Sequence, residues 1–246
     1  MFISSENSSD GSGNLWVIPK KDSKIFGQSV SANVPVQVNP GGGESNPLNG
    51  HEGYLNQMAF DANGNLFIAA YSDNSVIVIP KNSGAIFGES ATKNVPLFLS
   101  IPGSSSPEGL AFDAKGNLYV VDYNVNNVMV LPAANGKIFG AAMSKNTWTE
   151  LPQVPARPYA FSNWLAFDAT GNLFIGDWAD TAISVVAKKT STVFGEAVTK
   201  NQLSTIGTAT IQPLIATSYQ FAFAPSGALV MPTDGVGEAA VAVLAP

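Results

Sequence analysis

Residues 109–131 read GLAFDAKGNLYVVDYNVNNVMVL, and close relatives of this stretch occur before and after it. The related stretches are MAFDANGNLFIAAYSDNSVIVIP at 58–80, LAFDATGNLFIGDWADTAISVVA at 165–187 and FAFAPSGALVMPTDGVGEAAVAVLA at 221–245. One glycine marks the same phase in each, namely Gly64, Gly116, Gly171 and Gly227. The interval between these glycines is 52 to 56 residues. A fixed period of this length, with several short strands per unit, is typical of a β-propeller.

Each repeat predicts four antiparallel strands. In the central repeat the alternating run LAFD at 110–113 predicts the innermost strand, NLYVVD the second and NVMVL the third. A D-x-x-G-N turn joins the first two strands, because Asp, Asn and Gly supply the backbone angles that a tight hairpin needs. A fourth, outer strand is predicted farther along the chain, as at 94–101 and 146–152.

A second phrase recurs between the third and fourth strands. It reads SKIFG at 23–27, GAIFG at 84–88, GKIFG at 136–140 and STVFG at 191–195. A repeated hydrophobic residue followed by glycine is what packing and turning require. We therefore expect the phenylalanines of this phrase to plug the underside of their blades: Phe26, Phe87, Phe139 and Phe194.

The repeat predicts an all-β fold, a β-propeller of mainly four-stranded antiparallel blades in a single domain over 1–246. Its units are 1–53, 54–105, 106–161, 162–217 and 218–246. The first unit lacks an innermost strand, and the last stops after its third strand. Either a five-bladed ring closes with two reduced blades, or the full gene product has six blades. An unclosed propeller leaves unpaired edges, so we expect further sequence beyond the ends or an end pairing that the repeat does not show.

Composition excludes several classes of function. The net charge of −6 leaves no basic patch for phosphates, which argues against nucleic-acid binding. No apolar run of about 20 residues is present, so no transmembrane segment is predicted. The absence of cysteine excludes disulfides and thiolate metal sites. Only 12% of residues are charged, and the polar remainder is rich in Ser, Thr and Asn, which favours an extracytoplasmic protein, periplasmic or secreted, whose leader is absent.

The motif GLAFDAKGNLYVVD followed by NVMVL resembles the NHL-type repeat and its relatives in the gluconolactonase/senescence-marker and virginiamycin B lyase families. The resemblance covers 54–101, 106–152 and 162–206 well and the two end units partially. It implies a propeller with its ligand mouth at one end of a central channel. That superfamily includes hydrolases, lyases and pure interaction modules, so the resemblance is specific for fold and leaves the function open.

In such propellers the start of the innermost strand and the loop after the second strand face the same mouth. The residues at these positions are the predicted ligand-binding set: Asn56, Glu108, Asp122, Tyr123, Asn163, Asp177, Trp178 and Tyr219. Hard divalent cations such as calcium take oxygen ligands of this type. Gluconolactonase-like enzymes hold a divalent cation with Glu, Asn and Asp in mouth positions, and the resemblance implies Glu108 and Asn163 as metal ligands here. Asp122 lies one ring further out.

Each of these residues also has a structural interpretation. Asp122 and Asp177 could cap the turn after their strands. Glu108 could be a solvated channel residue, although a carboxylate near a channel axis needs a partner or water. The aromatic residues could stack on sugars, grip a protein partner or fill gaps between blades. His51, the only histidine, could serve as a general base, but it lies outside the register of the repeat, and no G-x-S-x-G elbow accompanies it.

Two classes of function therefore remain open. The first is a non-catalytic binding or scaffold module for a protein or carbohydrate partner, which the incomplete metal constellation and the lack of an acid/base pair favour. The second is a divalent-metal-dependent lactonase, hydrolase or lyase in which Glu108 and Asn163, with Asp122 or Asp177 as further candidate ligands, hold the ion and a nearby carboxylate moves the proton. No catalytic residue is assigned, and the cofactor considered is a divalent cation such as calcium.

Overall fold

The computed structural model describes residues 1–6, 13–40, 48, 55–103, 106–154, 162–177, 182–206, 221–235 and 238–244. The chain divides into two compact units, Met1–Pro107 and Glu108–Pro246. Strands dominate both units, and the described residues contain one short 3-10 turn, Tyr71–Asp73, and no α-helix. The single domain over 1–246 stays a prediction. Within the described ranges, no helix is long and apolar enough to cross a bilayer.

The first unit holds two blade sheets and two small hairpins. The blade strands are β1 (Phe2–Glu6), β2 (Gly13–Val17), β5 (Val36–Gln37), β6 (Leu55–Phe60), β7 (Leu66–Ala70), β8 (Ser75–Ile79) and β11 (Leu97–Ser100). Blade 1 has the order β1-β2-β5, and blade 2 has the order β6-β7-β8-β11. The hairpins pair β3 (Ser23–Ile25) with β4 (Gln28–Val30), and β9 (Gly84–Ile86) with β10 (Glu89–Ala91).

The second unit holds three blade sheets and two hairpins. The blade strands are β12 (Pro107–Phe112), β13 (Leu118–Asp122), β14 (Asn127–Leu131), β17 (Thr149–Glu150), β18 (Ser162–Phe167), β19 (Leu173–Asp177), β20 (Ala182–Val186), β23 (Leu203–Ile206), β24 (Ala222–Phe223), β25 (Leu229–Gly235) and β26 (Glu238–Leu244). Blade 3 is β12-β13-β14-β17, blade 4 is β18-β19-β20-β23 and blade 5 is β24-β25-β26. The hairpins pair β15 (Gly136–Ile138) with β16 (Ala141–Met143), and β21 (Ser191–Val193) with β22 (Glu196–Val198).

The predicted all-β propeller with five blades is confirmed. The described blade sheets contain three, four, four, four and three strands, as the repeat predicts. The outer strand of blade 3 is shorter than the expected 146–152, because only Thr149 and Glu150 pair with β14. Asn146 has a φ of 57°, and the Thr147 N–H donates to the Ser144 carbonyl, so the preceding residues form a turn.

The D-x-x-G-N turn is held by side-chain hydrogen bonds to its own backbone. In blade 3, Asp113 Oδ1 accepts from the N–H groups of Lys115 (2.9 Å) and Asn117 (3.0 Å), while Asp113 Oδ2 accepts from Asn117 Nδ2 (2.7 Å). Asn117 Oδ1 accepts from the Ala133 N–H at 2.9 Å, which ties the turn to the end of the third strand. Gly116 has a φ of +79°, which only glycine adopts without strain. The motif therefore stabilises three strands through two side chains.

The IFG phrase forms hairpins, which the sequence did not predict. Phe139 and Gly140 both have positive φ values, 45° and 88°, as a two-residue hairpin loop of type I′ requires. The Phe139 ring is buried and lies edge-on to Tyr119 of its own blade, with 6.4 Å between centroids. The ring centroid of Tyr119 in turn lies 4.8 Å from the ring centroid of Phe167 in blade 4. The predicted packing role is confirmed for Phe139, where burial of the ring offsets the strain of a left-handed phenylalanine, whereas Phe26, Phe87 and Phe194 are partly buried.

The blades are apolar on both faces. In blade 4, Leu173 and Ile175 pack with residues of blade 3, whereas Phe174 and Ile183 pack with residues of blade 5. Within the second unit, we call the side of a blade that faces the preceding blade its backward face, and the side that faces the following blade its forward face.

We expect Asn117→Ala to lower the free energy of unfolding by about 1–3 kcal/mol, because it removes the bond from Asn117 Nδ2 to Asp113 Oδ2 and leaves the buried end of the third strand without the acceptor for the Ala133 N–H. Urea unfolding followed by circular dichroism measures this loss. Lys115→Ala is the matched control, since Lys115 bonds to Asp113 only through its backbone N–H among the recorded contacts. An equal loss in both variants would contradict the role assigned to Asn117.

We expect Phe139→Ala to lower the free energy of unfolding by about 3–5 kcal/mol, because the ring is 2% exposed and packs on Tyr119. Phe194→Ala should cost less, since Phe194 occupies the same position in blade 4 but is only partly buried. Both losses are measured by urea unfolding of the full chain. Similar losses would show that burial of the ring does not set its contribution.

Candidate functional site

Glu108 and Asp122 lie at the same end of blade 3. β12 and β13 are neighbours joined by the 113–117 turn, so the beginning of β12 lies beside the end of β13. Tyr119 contacts Phe167, which places the beginning of β13 near the end of β18. The end of β13 therefore points toward the beginning of β18. We call this end of blades 3 and 4, where the innermost strands begin, the mouth end.

Glu108 is a partly buried carboxyl with an altered acidity. Burial raises the pKa of Glu108 from its ordinary 4.5 to about 7, since removal from water disfavours the charged form. Among the described residues no ion pair or hydrogen bond is recorded for its carboxyl group. At neutral pH the group is therefore divided between a form that donates a proton and a form that accepts one.

Asp122 caps the turn between β13 and β14. Its Oδ1 accepts from the N–H groups of Asn124 at 3.0 Å and Val125 at 3.4 Å, and its carbonyl accepts from the Asn126 N–H at 2.7 Å. Asn126 has a φ of 54°, which closes the turn. These are the hydrogen bonds of the turn-capping interpretation. Ligand binding by Asp122 stays a prediction.

Two buried amide oxygens at the mouth end have no recorded partner. The side chains of Asn126 and Asn127 are 6% and 5% exposed, and neither Oδ1 accepts a hydrogen bond among the described residues. Asn127 lies opposite Asp122 in the sheet. A buried acceptor without a donor is costly, and such groups are normally satisfied by water, an ion or a ligand. The residues that sequence reasoning missed are these two asparagines. Their sequence signal is the Asn-Asn pair that starts the third strand.

The innermost strands carry irregularities at two predicted mouth residues. In blade 4 the register of β18 and β19 shifts between Ser162 and Trp164, so Asn163 is the extra residue. In blade 2 the register of β6 and β7 shifts between Leu55 and Met58, a stretch that contains Asn56. Bulges redirect side chains and are frequent beside binding sites. The repeat pattern did not predict them.

Several predicted residues cannot be placed by their side chains. Asp177 ends β19 opposite Ser162, but the side chains of Asp177 and Asn163 are outside what the structure describes. Trp178 and Tyr219 lie outside the described residues, as does His51. Asn56 belongs to the first unit and is partly buried. Tyr123 follows β13 and is also partly buried.

A metal centre is not assembled by the residues that the structure describes. They contain no group of three or more His, Cys, Asp or Glu side chains that could hold an ion. Of the predicted ligands, Glu108 supplies one carboxyl group, and the side chain of Asn163 is outside the described set. No reaction step can be derived through a cation from these groups. The predicted ligands Glu108 and Asn163 stay a prediction.

One mouth-end aromatic residue packs between blades. The Trp164 Nε1–H donates to the Phe221 carbonyl of blade 5 at 2.7 Å. Gly176 allows this approach, since a Cβ there would lie 3.0 Å from the Phe221 ring and 3.4 Å from the Trp164 Cβ. Trp164 therefore fills the gap between blades 4 and 5.

A groove of about 400 Å³ lies at the end of blade 4 that is opposite to the mouth end, beside the 168–172 turn and Phe194 of the IFG phrase. The carboxylate of Asp168 is occupied by Asn172, and Thr190 Oγ1 accepts from the Lys200 N–H. These two polar side chains of the groove, Asp168 and Thr190, are therefore engaged in hydrogen bonds of the turns. The mouth end, with its unpartnered acceptors, is the better candidate.

The fold matches solved propeller structures at low sequence identity. Virginiamycin B lyase from Staphylococcus aureus matches with a TM-score of 0.53 and 11% identity, over 97% of this chain and 68% of that chain. A candidate gluconolactonase matches with a TM-score of 0.53 and 14% identity, over 99% of this chain and 77% of that chain. Regucalcin from Agrobacterium tumefaciens, a calcium-binding protein, matches with a TM-score of 0.52 and 14% identity, over 96% of this chain and 70% of that chain.

Sequence comparison adds no closer relationship. No family model matches the chain, and no curated protein matches it. At these identities the structural likeness shows the fold alone. The families that the repeat resembles are nevertheless those whose structures match. The chain is thus a β-propeller with the fold seen in virginiamycin B lyase, the candidate gluconolactonase and regucalcin.

Proposed function

We propose that the protein is a non-catalytic, exported propeller that binds a carbohydrate or protein partner at the mouth end of blade 3. The observation that carries this proposal is the pair of buried amide oxygens, Asn126 Oδ1 and Asn127 Oδ1, for which the described residues supply no donor. The low charge of the chain, 12% of residues, supports a location outside the cytoplasm.

The chemistry of these groups fits a ligand rich in hydroxyl groups. The asparagine oxygens accept hydrogen bonds, and Glu108 can accept or donate one near neutral pH because burial raises its pKa to about 7. Tyr123 follows directly after Asp122 and offers an aromatic surface to the apolar face of a sugar. A carbohydrate supplies both donors and such a face. Carbohydrate is therefore the favoured partner.

The second candidate is a divalent-metal-dependent lactonase, hydrolase or lyase. The raised pKa of Glu108 favours it, since a general acid or base works best when its pKa is near the operating pH. Calcium binding by regucalcin, which shares the fold, also motivates it. Glu108 would move the proton or contribute a ligand oxygen, and Asn163 would complete the predicted ligand pair.

We expect the wild-type protein to bind members of a printed glycan array, and Asn127→Ala and Tyr123→Ala to weaken binding of the best glycan about tenfold or more. The loss follows from one hydrogen bond or one stacking contact of about 1.4 kcal/mol. Calorimetry on the free oligosaccharide gives the affinities. Phe98→Ala, an exposed aromatic residue on the outer strand of blade 2, is the control and should bind normally. Absence of any array signal overturns the carbohydrate partner, and unchanged affinities overturn the site.

We expect Glu108→Gln to be more stable than the wild type above pH 7 and to lose this advantage as the pH falls to 4.5. Because the folded-state pKa of Glu108 is raised, the wild-type carboxyl contributes stability that is present below pH 4.5 and lost as the pH rises through about 7. Urea unfolding of both proteins in chelator, from pH 4 to 8, measures the difference.

The same pair of proteins tests the second candidate. If Glu108 is a calcium ligand, calcium added at pH 8 should stabilise the wild type and not Glu108→Gln, since binding to the folded state raises its stability. Elemental analysis of the calcium-soaked, desalted protein is the second measurement. No retained metal and no stabilisation would remove the metal-dependent enzyme while leaving the glycan experiment unaffected.

A further inference from the structure

The lysine residues of the second unit lie at the end of blades 3 and 4 that is opposite to the mouth end. They are exposed residues of turns, hairpins and strand ends: Lys115, Lys137, Lys145, Lys188, Lys189 and Lys200. Lys115 belongs to the 113–117 turn, and Lys188 and Lys189 follow β20, which runs away from the mouth end. The backbone N–H groups of Lys145 and Lys200 donate to side chains in the loops that leave β14 and β20, at 2.7 Å and 3.0 Å.

The acidic residues of the same two blades are distributed differently. Glu108 and Asp122 lie at the mouth end, and Asp177 is the last residue of β19 at that end. In the described part of blades 3 and 4, no lysine or arginine accompanies them, and Arg157 is outside that part. At the opposite end the lysines outnumber the carboxylates, two of which hold the D-x-x-G-N turns. The mouth end is therefore the negative end of these blades.

The buried groups at the mouth end that lack a recorded partner are hydrogen-bond acceptors. Asn126 Oδ1 and Asn127 Oδ1 receive no donor from the described residues, and their side chains are 6% and 5% exposed. Asn127 lies opposite Asp122 in the sheet, so this acceptor is next to a carboxyl-bearing strand end. A ligand that fits here has to bring hydrogen-bond donors, and positive charge on those donors is favourable.

An ammonium group meets both requirements. It has three N–H donors and no acceptor, whereas a hydroxyl group also brings lone pairs that need donors of their own. Its hydrogen bonds to carboxylates are charge-assisted and roughly twice as strong as those between neutral groups. Tyr123, which follows Asp122 and is partly buried, adds an aromatic ring to which a cation is attracted. Charges of one sign at the mouth end also concentrate ligands of the opposite sign.

We propose that the mouth end of blade 3 selects an oligosaccharide that carries protonated amino groups over its neutral, N-acetylated counterpart. The proposal rests on the proposed function and names the chemical class of the ligand of that site. Acetylation removes the charge and two of the three donors, so the neutral sugar loses the contacts that favour the amine. A glycan with carboxylate or sulfate groups would bring like charges to Glu108 and Asp122 and is rejected.

Calorimetry with two matched tetrasaccharides tests this selectivity, since the glucosamine tetramer and the N-acetylglucosamine tetramer share ring and length. At pH 7 and low salt we expect the glucosamine tetramer to bind about tenfold tighter or more. Raising the salt to about 0.3 M should reduce this advantage, because exposed charges are screened. Equal or tighter binding of the N-acetylated tetramer overturns the cationic ligand and leaves carbohydrate binding in place. No binding of the glucosamine tetramer also overturns it, whereas the carbohydrate partner falls only if no glycan on the array binds.

Three variants locate the effect at the mouth end. Asp122→Asn keeps the oxygen that caps the turn and removes the charge, so it should weaken binding of the glucosamine tetramer about tenfold. Glu196→Gln, which removes an exposed carboxylate from the hairpin strand β22, is the matched control and should bind normally. Asn124→Asp adds a carboxylate to the exposed mouth turn and should tighten binding about two- to fivefold, which a folding defect cannot produce. Equal losses in Asp122→Asn and Glu196→Gln, or unchanged binding in both Asp122→Asn and Asn124→Asp, overturn the proposal.

Discussion

Packing between blades that are apolar on both faces is the constraint on which this structure depends. Blade 4 buries one face against blade 3 and the other against blade 5, so it is not stable as an isolated sheet. Along β19 of blade 4 the side chains alternate between the two faces: Leu173 and Ile175 pack toward blade 3, and Phe174 packs toward blade 5. The same alternation leaves Val241 and Val243 exposed on the side of blade 5 that does not face blade 4.

The hairpins formed by the IFG phrase add to this packing, and their backbone is locally strained. A phenylalanine at positive φ is unfavourable for an L-residue, and four equivalent phenylalanines adopt it: Phe26, Phe87, Phe139 and Phe194. Phe87, Phe139 and Phe194 each lie about 6 Å from an aromatic ring on the second strand of their blade, and Phe26 lies 5.8 Å from the ring of Phe2 on β1. Burying an aromatic ring is worth more than the strain, so the tertiary contact selects a backbone conformation that the residue alone would avoid.

The candidate site shows where the repeat pattern stops being informative. Glu108 was identifiable because it occupies a mouth position of the repeat, and its partly buried setting raises its pKa to about 7. Asn126 and Asn127 were not identifiable, because asparagine is common in turns and only the folded hairpin shows that their side-chain oxygens are buried without a partner among the residues that the structure describes. The bulge at Asn163 was equally hidden, since register depends on pairing with a neighbouring strand.

The sequence by itself determined the fold class and the turns, because strand alternation and the D-x-x-G-N motif act over a few residues and recur in phase. Asp113 and Asn117 form the turn bonds that their spacing predicts. Tertiary structure alone decided the left-handed phenylalanines, the bulges, the acidity of Glu108 and the exposure of Val241. Each of these depends on which surface lies against which, and a linear pattern does not record how much water a neighbouring blade excludes.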